Sequence, residues 1–269
     1  MISRLETHLG TPVALEELKC KPGRRQTLRA RGPEGSAIVK VYASDRARLV
    51  ARRVAALAAG PPEPVVPTVL DVDPKLHLVV LSDVPGRPLR EALLDGDHAA
   101  CSRAGVALGR WHAAWSGTAP APLVRHTIDR EIEILCAKAE TASAPVARSV
   151  EDALAQLIGP WECTTVVHRD LYEEQVLTGG RVGLIDVDDS ALGPPELDVG
   201  NLVAHVELLE RRRDRDLAPA TGALLDGYAE TGPALDQALL ARCRQLTLLR
   251  LACLNDDPGL VERAFATAA

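Results

Sequence analysis

Aromatic side chains are scarce in this chain: 3% of 269 residues, with one Phe, three Trp and three Tyr, beside a single Met. A core this poor in rings must rest on Leu, Val and Ala. The same scarcity argues against a nucleic-acid partner, because the basic residues are not interleaved with aromatics on which bases could stack. No apolar run reaches the roughly 18 residues that a membrane-spanning helix needs, so no membrane partner is expected. The six cysteines (Cys20, Cys101, Cys136, Cys163, Cys243, Cys253) include no C-x-x-C pair. That disfavours zinc and disulfide frameworks. With no signal-peptide pattern at the start, reduced, buried thiols in a cytoplasmic protein are the expectation.

What is present is an ordinary globular balance, 46% apolar and 25% charged, with the charge divided unevenly. Residues 1–82 carry 13 Lys/Arg against 8 Asp/Glu, net +5, and residues 83–269 carry 18 against 29, net −11. A basic front and an acidic back suit a polyanion-binding part joined to a part that receives something neutral or cationic.

The densest information lies in His168-Arg169-Asp170-Leu171-Tyr172-Glu173-Glu174-Gln175, followed by Ile185-Asp186-Val187-Asp188-Asp189. Phosphoryl transfer from a nucleotide is mostly positioning and charge neutralisation. One acid orients the attacking hydroxyl, and oxygen ligands hold the magnesium that offsets phosphate charge. Asp170 suits the first role; Gln175 and Asp186 suit the second. Val182-Gly183-Leu184-Ile185 reads as a strand that delivers Asp186.

The front part reads as a small antiparallel sheet. Strands are expected at 25–31 and 37–42 around a Gly32-Pro33-Glu34-Gly35 turn, and again near 68–72 and 77–81. Between the two pairs, Ser44 or Asp45 caps a helix that runs to about Leu57 and stops at Gly60-Pro61-Pro62. The Pro/Gly-rich stretch Ser82–Leu89 is the best boundary. Beyond it, helices are expected near 98–118, 128–142, 147–158, 197–213, 219–230 and 234–255. The domains are therefore drawn as 1–82, a hinge at 83–89, and a helical part at 90–269.

The run from His168 to Asp198 resembles the aminoglycoside phosphotransferase family, a phosphotransferase enzyme family with a kinase-like fold. Its pattern is H-x-D-x-x-x-x-N, then I-D-x-x-D-x-x-x-G, then Asp followed by an aliphatic residue. Specificity is high at 168–198, and a looser likeness extends from about Gly23 to Tyr228. The resemblance implies an α+β fold of two lobes: a small antiparallel-sheet N-lobe with one helix, and a mostly helical C-lobe. It implies that Lys40 pairs with the α- and β-phosphates of ATP, and that the hinge backbone at Asp83 and Val84 meets the adenine edge. It implies that His168 holds the loop backbone and that Asp198 is a buried acceptor bracing the catalytic loop. Asp188 or Asp189 could hold a water or a second metal, and His112 is explained best by side-chain contacts inside a helix.

Three departures stand out. The helix after Lys40 contains no Glu, so its usual partner is missing, and Asp45 or Glu63 are the substitutes at hand. The phosphate-covering segment Lys21-Pro22-Gly23-Arg24-Arg25 has one Gly; Arg24 and Arg25 could add charge there, though a solvated basic loop is the expectation. Gln175 stands where most of the family has Asn. The expected activity is an ATP- and Mg2+-dependent transfer of a γ-phosphoryl group to an alcohol of a small, conceivably cationic molecule. A peptide Ser/Thr hydroxyl is an alternative acceptor, and a pseudokinase that binds nucleotide or a partner protein without efficient transfer is the rival.

Overall fold

The period-two alternation of Ala37–Tyr42 puts Ile38, Lys40 and Tyr42 on one face of a strand and Ala37, Val39 and Val41 on the other. That strand is the centre of the first lobe. The computed structural model describes residues 1–266. Helix α1 (Ile2–Leu9) precedes strands β1 (Ala14–Lys21), β2 (Arg25–Gly32) and β3 (Gly35–Tyr42), and helix α2 (Ala47–Ala58) follows them. Strands β4 (Val69–Asp73) and β5 (Leu78–Ser82) complete an antiparallel sheet in the order β1-β2-β3-β5-β4. Val39 and Val80 lie opposite one another, as do Lys40 and Val79. One face buries Val39, Leu78 and Val80 beneath Leu5 and Leu9 of α1. The other buries Tyr42, Val79 and Leu81 against Val50, Val54 and Leu57 of α2.

The lobe thus has two helices, not one. Helix α1 is only eight residues long and anchors through two leucines, Leu5 and Leu9, too few for a periodic signal. Strand β1 is a solvated edge, almost wholly exposed, so no alternation marks it. Helix α2 starts after Arg46, with no side-chain cap from Ser44 or Asp45.

From β5 the chain passes through Asp83–Gly86 into β6 (Arg87–Pro88) and directly into α3 (Leu89–Asp95). Helices α4 (His98–Ala114), α5 (Ile128–Ala139) and α6 (Ala144–Leu154) follow. Helix α6 begins three residues earlier than its periodicity suggests, with Pro145 in its first turn, a position where a missing N–H costs nothing. Three short strands come next: β7 (Thr165–Val167), β8 (Val176–Thr178) and β9 (Gly183–Leu184). A single 3-10 turn at Val187–Asp189 leads to β10 (Ala191–Gly193), which pairs with β7, whereas β8 lies between β6 and β9. Helices α7 (Pro195–Arg213), α8 (Ala218–Thr231), α9 (Gln237–Asn255) and α10 (Pro258–Phe265) close the lobe. The first three match the amphipathic spacing; α3 and α10 are too short to announce themselves.

The architecture is α+β, with a five-stranded antiparallel lobe and a mostly helical second lobe. Among the described residues no helix is long and apolar enough to cross a membrane. Among the described residues no cysteine is paired, and Cys20 and Cys136 are exposed rather than buried.

Helices α4 and α8 approach closely because each turns a glycine to the other's backbone. A Cβ on Gly105 would lie 1.9 Å from the Leu224 carbonyl oxygen, and one on Gly227 would lie 2.2 Å from that of Ser102. Both obstacles are backbone and cannot step aside. Gly105→Ala is therefore expected to cost about 1–3 kcal/mol through overpacking, seen as a melting temperature several degrees lower; an unchanged melting curve would contradict the close approach.

Candidate active site

Strands β7, β8 and β9 set up the site by their shortness. β7 ends at Val167 and releases the chain at His168; β8 takes it up again at Val176; and β9 ends just before Ile185-Asp186. The two loops are tied together by hydrogen bonds from Ile185 N–H to the Gln175 carbonyl (2.9 Å) and between His168 Nε2 and the Ile185 carbonyl (2.8 Å). His168 is fully buried.

The loop is held from below by α7. The Asp198 carboxylate accepts from the backbone N–H of His168 (2.6 Å) and of Arg169 (2.8 Å). One turn further, the Asn201 side-chain amide donates to the Arg169 carbonyl (2.7 Å). Arg169 sits at φ 78°, a conformation costing of order 1–3 kcal/mol for a non-glycine residue unless its surroundings impose it. These bonds impose it. His112 does more than fill space: it lies between Tyr228 Oη (2.9 Å) and Asp198 Oδ2 (3.2 Å). Asp170 is left exposed, with Arg250 3.8 Å away. Arg250 in turn is fixed by Glu131 (3.1 Å), which also meets His126 (2.8 Å). Burial would raise the Glu131 carboxyl, but His126 and Arg250 outweigh it and hold it below the usual range.

Above the loop, a cleft of about 380 Å³ separates the lobes. Ile38, Leu81, Val84, Leu177 and Ile185 make one end apolar; Arg25, Lys40, Gln175 and Asp186 make the other polar. The Asp83 carboxylate is taken by Arg29 (3.0 Å) and Ser36 (2.8 Å), so only its backbone is left to serve a ligand.

Lys40 has its carboxylate partner, though not from α2. Its Nζ donates to Asp186 Oδ1 (2.8 Å) and Asp188 Oδ1 (2.6 Å). Tyr42, two residues along the same strand face, donates to Asp188 Oδ2 (2.6 Å). Neither suggested substitute reaches Lys40: Asp45 is exposed beside His77 (4.0 Å), and Glu63 accepts from Val182 N–H (2.9 Å). Arg25 is not solvated either. Its guanidinium grips both Asp186 oxygens (2.9 and 3.0 Å) and Asp188 Oδ2 (2.8 Å). Burial would raise the Asp186 carboxyl, but Lys40 and Arg25 drive it far below the usual range.

Arginines stand in and just before α2 where a Glu was expected, and they hold the Asp188–Asp189 turn. Arg53 donates to the Asp188 carbonyl (3.0 Å), and Arg46 pairs with Asp189 (2.6 Å). Asp189 therefore faces α2 and not the cleft. The site brings Lys40, Gln175, Asp186 and Asp188 together. Sequence reading missed Tyr42, Asn201 and Arg250, and favoured a solvated Arg25 over one that serves the site. Asn201 had a local signal, three residues after Asp198 on the same helical face, and so did Tyr42, two residues after Lys40 on the same strand face.

Tyr172 leaves the loop and stacks on His205 of α7, ring centroids 5.1 Å apart. Burial, with Arg250 and Arg212 nearby, pushes the His205 imidazole down to about 3. The folded state keeps it neutral while the unfolded chain takes up a proton below about pH 6.5, so its contribution is present above that pH and is lost as pH falls toward 3. His205→Phe should flatten the acid limb of a stability–pH profile measured by denaturant unfolding; an unaltered limb would remove His205 as its source.

A search of curated proteins finds no match. Among solved structures, the fold is similar to the amicoumacin kinase hAmiN in complex with AMP-PNP, Ca2+ and Ami, with 17% identity, TM-score 0.65, and 92% of this chain and 86% of that one covered. It is similar to the choline kinase LicA from Streptococcus pneumoniae, with 14% identity, TM-score 0.65, and 97% and 95% covered. It also resembles a thermostable mutant of the aminoglycoside phosphotransferase APH(4)-Ia in a ternary complex with AMP-PNP and hygromycin B, with 17% identity, TM-score 0.60, and 98% and 95% covered. At these identities the likeness establishes the kinase-like fold. The sequence profile described as "phosphotransferase enzyme family" matches residues 23–244, well over half of the chain. With the two-lobed fold and the His168–Asp198 motif in place, the chain belongs to the phosphotransferase enzyme family.

Proposed function

We propose that this phosphotransferase moves the γ-phosphoryl group of ATP, bound with magnesium, to an alcohol of a small molecule. The observation that carries this reading is the polar end of the cleft, where Lys40 and Arg25 converge on Asp186 beside a buried amide oxygen. Gln175 Oε1 is buried without a hydrogen-bond donor, which a cation ligated there would resolve. Among the described residues there is no cluster of three His, Cys, Asp or Glu fit for a metal. One carboxylate and one amide suit Mg2+, which takes few protein ligands and completes its shell with water and phosphate oxygens. Bound there, magnesium would neutralise charge on the transferring phosphates.

The residues then divide the work. The apolar end with Val84 and Leu177 accepts the base, and the backbone at Asp83 and Val84 reads its edge. Lys40 is held by Asp188, which Tyr42 fixes in turn, so its ammonium is aimed before any ligand arrives. Arg25 can transfer its grip from Asp186 to phosphate oxygens, the chemistry its planar fork favours. Asp170, exposed beside Arg250, is free to accept the proton of an acceptor hydroxyl. The small-molecule acceptor is supported by the family; solved structures of similar fold hold amicoumacin and hygromycin B. A carboxylate at Lys40 supports an active enzyme over the pseudokinase reading, which drew on the lack of one.

Asp170→Asn is expected to lower turnover by about 10²- to 10⁴-fold while ATP affinity, followed by calorimetry, stays close to wild type. Comparable turnover in a clean preparation would remove Asp170 from proton transfer. Asp186→Asn, and more mildly Gln175→Leu, should abolish the increase in ATP affinity that magnesium produces in the unmodified chain; a preserved magnesium response would place the metal elsewhere.

A further inference from the structure

Beside the Asp188–Asp189 turn, and sharing no lining residue with the cleft, lies a second concavity of about 480 Å³ lined by five arginines: Arg46, Arg53, Arg125, Arg130 and Arg169. Three carboxylates share its wall, and two are already spoken for: Asp189 by Arg46 (2.6 Å) and Glu133 by Arg130 (2.6 Å). Asp129 is left to face three guanidiniums. Among the described residues the Arg125 and Arg169 side chains have no ion pair, and both contribute to the wall. Arg53 is 91% buried, spends one nitrogen on the Asp188 carbonyl, and keeps a buried Nε with no acceptor. Burial depresses the Arg53 guanidinium; Asp189 offsets part of this, while the like charges of Arg46 and Arg169 depress it further.

Crowded cations with a buried, unanswered N–H are costly unless an anion completes them. The surplus, three guanidiniums against one carboxylate, is about two charges, which matches a phosphomonoester near neutral pH. Guanidinium forks are the protein groups best suited to that geometry. The concavity is roomier than a lone phosphate ion requires. We propose that this arginine-lined pocket between α2, the start of α5 and the Asp188–Asp189 turn binds a phosphomonoester carried on a small molecule. It is distinct from the nucleotide cleft, and the assignment does not depend on the proposed reaction. Because Arg53 and Arg46 hold the carbonyl of Asp188 and the side chain of Asp189, the occupant would also steady the loop that carries Asp186.

The test is calorimetric titration of the full chain with glycerol 2-phosphate and with inorganic phosphate, against sodium chloride at equal ionic strength. Saturable binding is expected, tighter for the ester, weakened about tenfold or more in Arg125→Gln and unchanged in Arg25→Gln. Arg125 is exposed, so its replacement leaves the fold intact. In parallel, phenylglyoxal labelling read by mass spectrometry should show Arg125 and Arg169 protected by the ester. Heats no larger than those of chloride would overturn the proposal. So would binding that Arg25→Gln abolishes and Arg125→Gln leaves intact, which would put the anion in the nucleotide cleft. Binding without protection of Arg125 and Arg169 would likewise refute it.

Discussion

The Lys40 ammonium, held between Asp186 and Asp188 at 2.8 and 2.6 Å, is the contact on which the cleft depends. It joins the central strand of one lobe to the Asp186–Asp188 segment of the other. Arg25 and Tyr42 close the same network from the sheet side. A buried pair of this kind contributes little net stability, because desolvation offsets attraction, whereas removing one partner costs about 3–5 kcal/mol. Its value is organisational: five side chains from two lobes have one low-energy arrangement. Helix α2 contributes from behind, through Arg53 and Arg46, to backbone and side chain of the same turn. The usual geometry, with a helix carboxylate holding the strand Lys, is exchanged for a loop carboxylate holding the Lys and helix arginines holding the loop.

The second fixed point is the His168–Asp170 loop, which α7 holds by its backbone. Asp198 and Asn201, one turn apart, meet the N–H of His168 and both the N–H and the carbonyl of Arg169. The positive φ of Arg169 is thereby imposed, and Asp170 next to it is presented to solvent without needing a side-chain bond. Behind Asp198, His112 and Tyr228 extend the brace into α4 and α8, the two helices that glycines allow to touch. Rigidity at Asp170 is thus drawn from helix contacts far from the cleft.

Much of this was legible because it is local. The alternation in β3 placed Lys40 and Tyr42 on one face, the spacing in the Asp170–Asp186 run put a carboxylate and an amide on adjacent loops, and helical periodicity marked α4, α5 and α7–α9. Elements that bury little left no trace: α1 anchors by two leucines, and β1 shows an exposed edge. Nor could composition tell that Arg25, in a loop that read as solvated, folds down across 161 residues of sequence to Asp186. An Arg in a loop is solvated or gripping according to what lies opposite, and that is not written nearby.

By itself, then, the sequence determined the lobes, the family, and the order of Lys40, Asp170, Gln175 and Asp186, since each rests on periodicity or spacing within a few tens of residues. Only the tertiary structure decided which carboxylate serves Lys40, what the arginines of α2 do, and that Arg250 stands beside Asp170. Ion pairing depends on distances across space and on burial, and both arise only when distant segments are brought together in a low-dielectric interior.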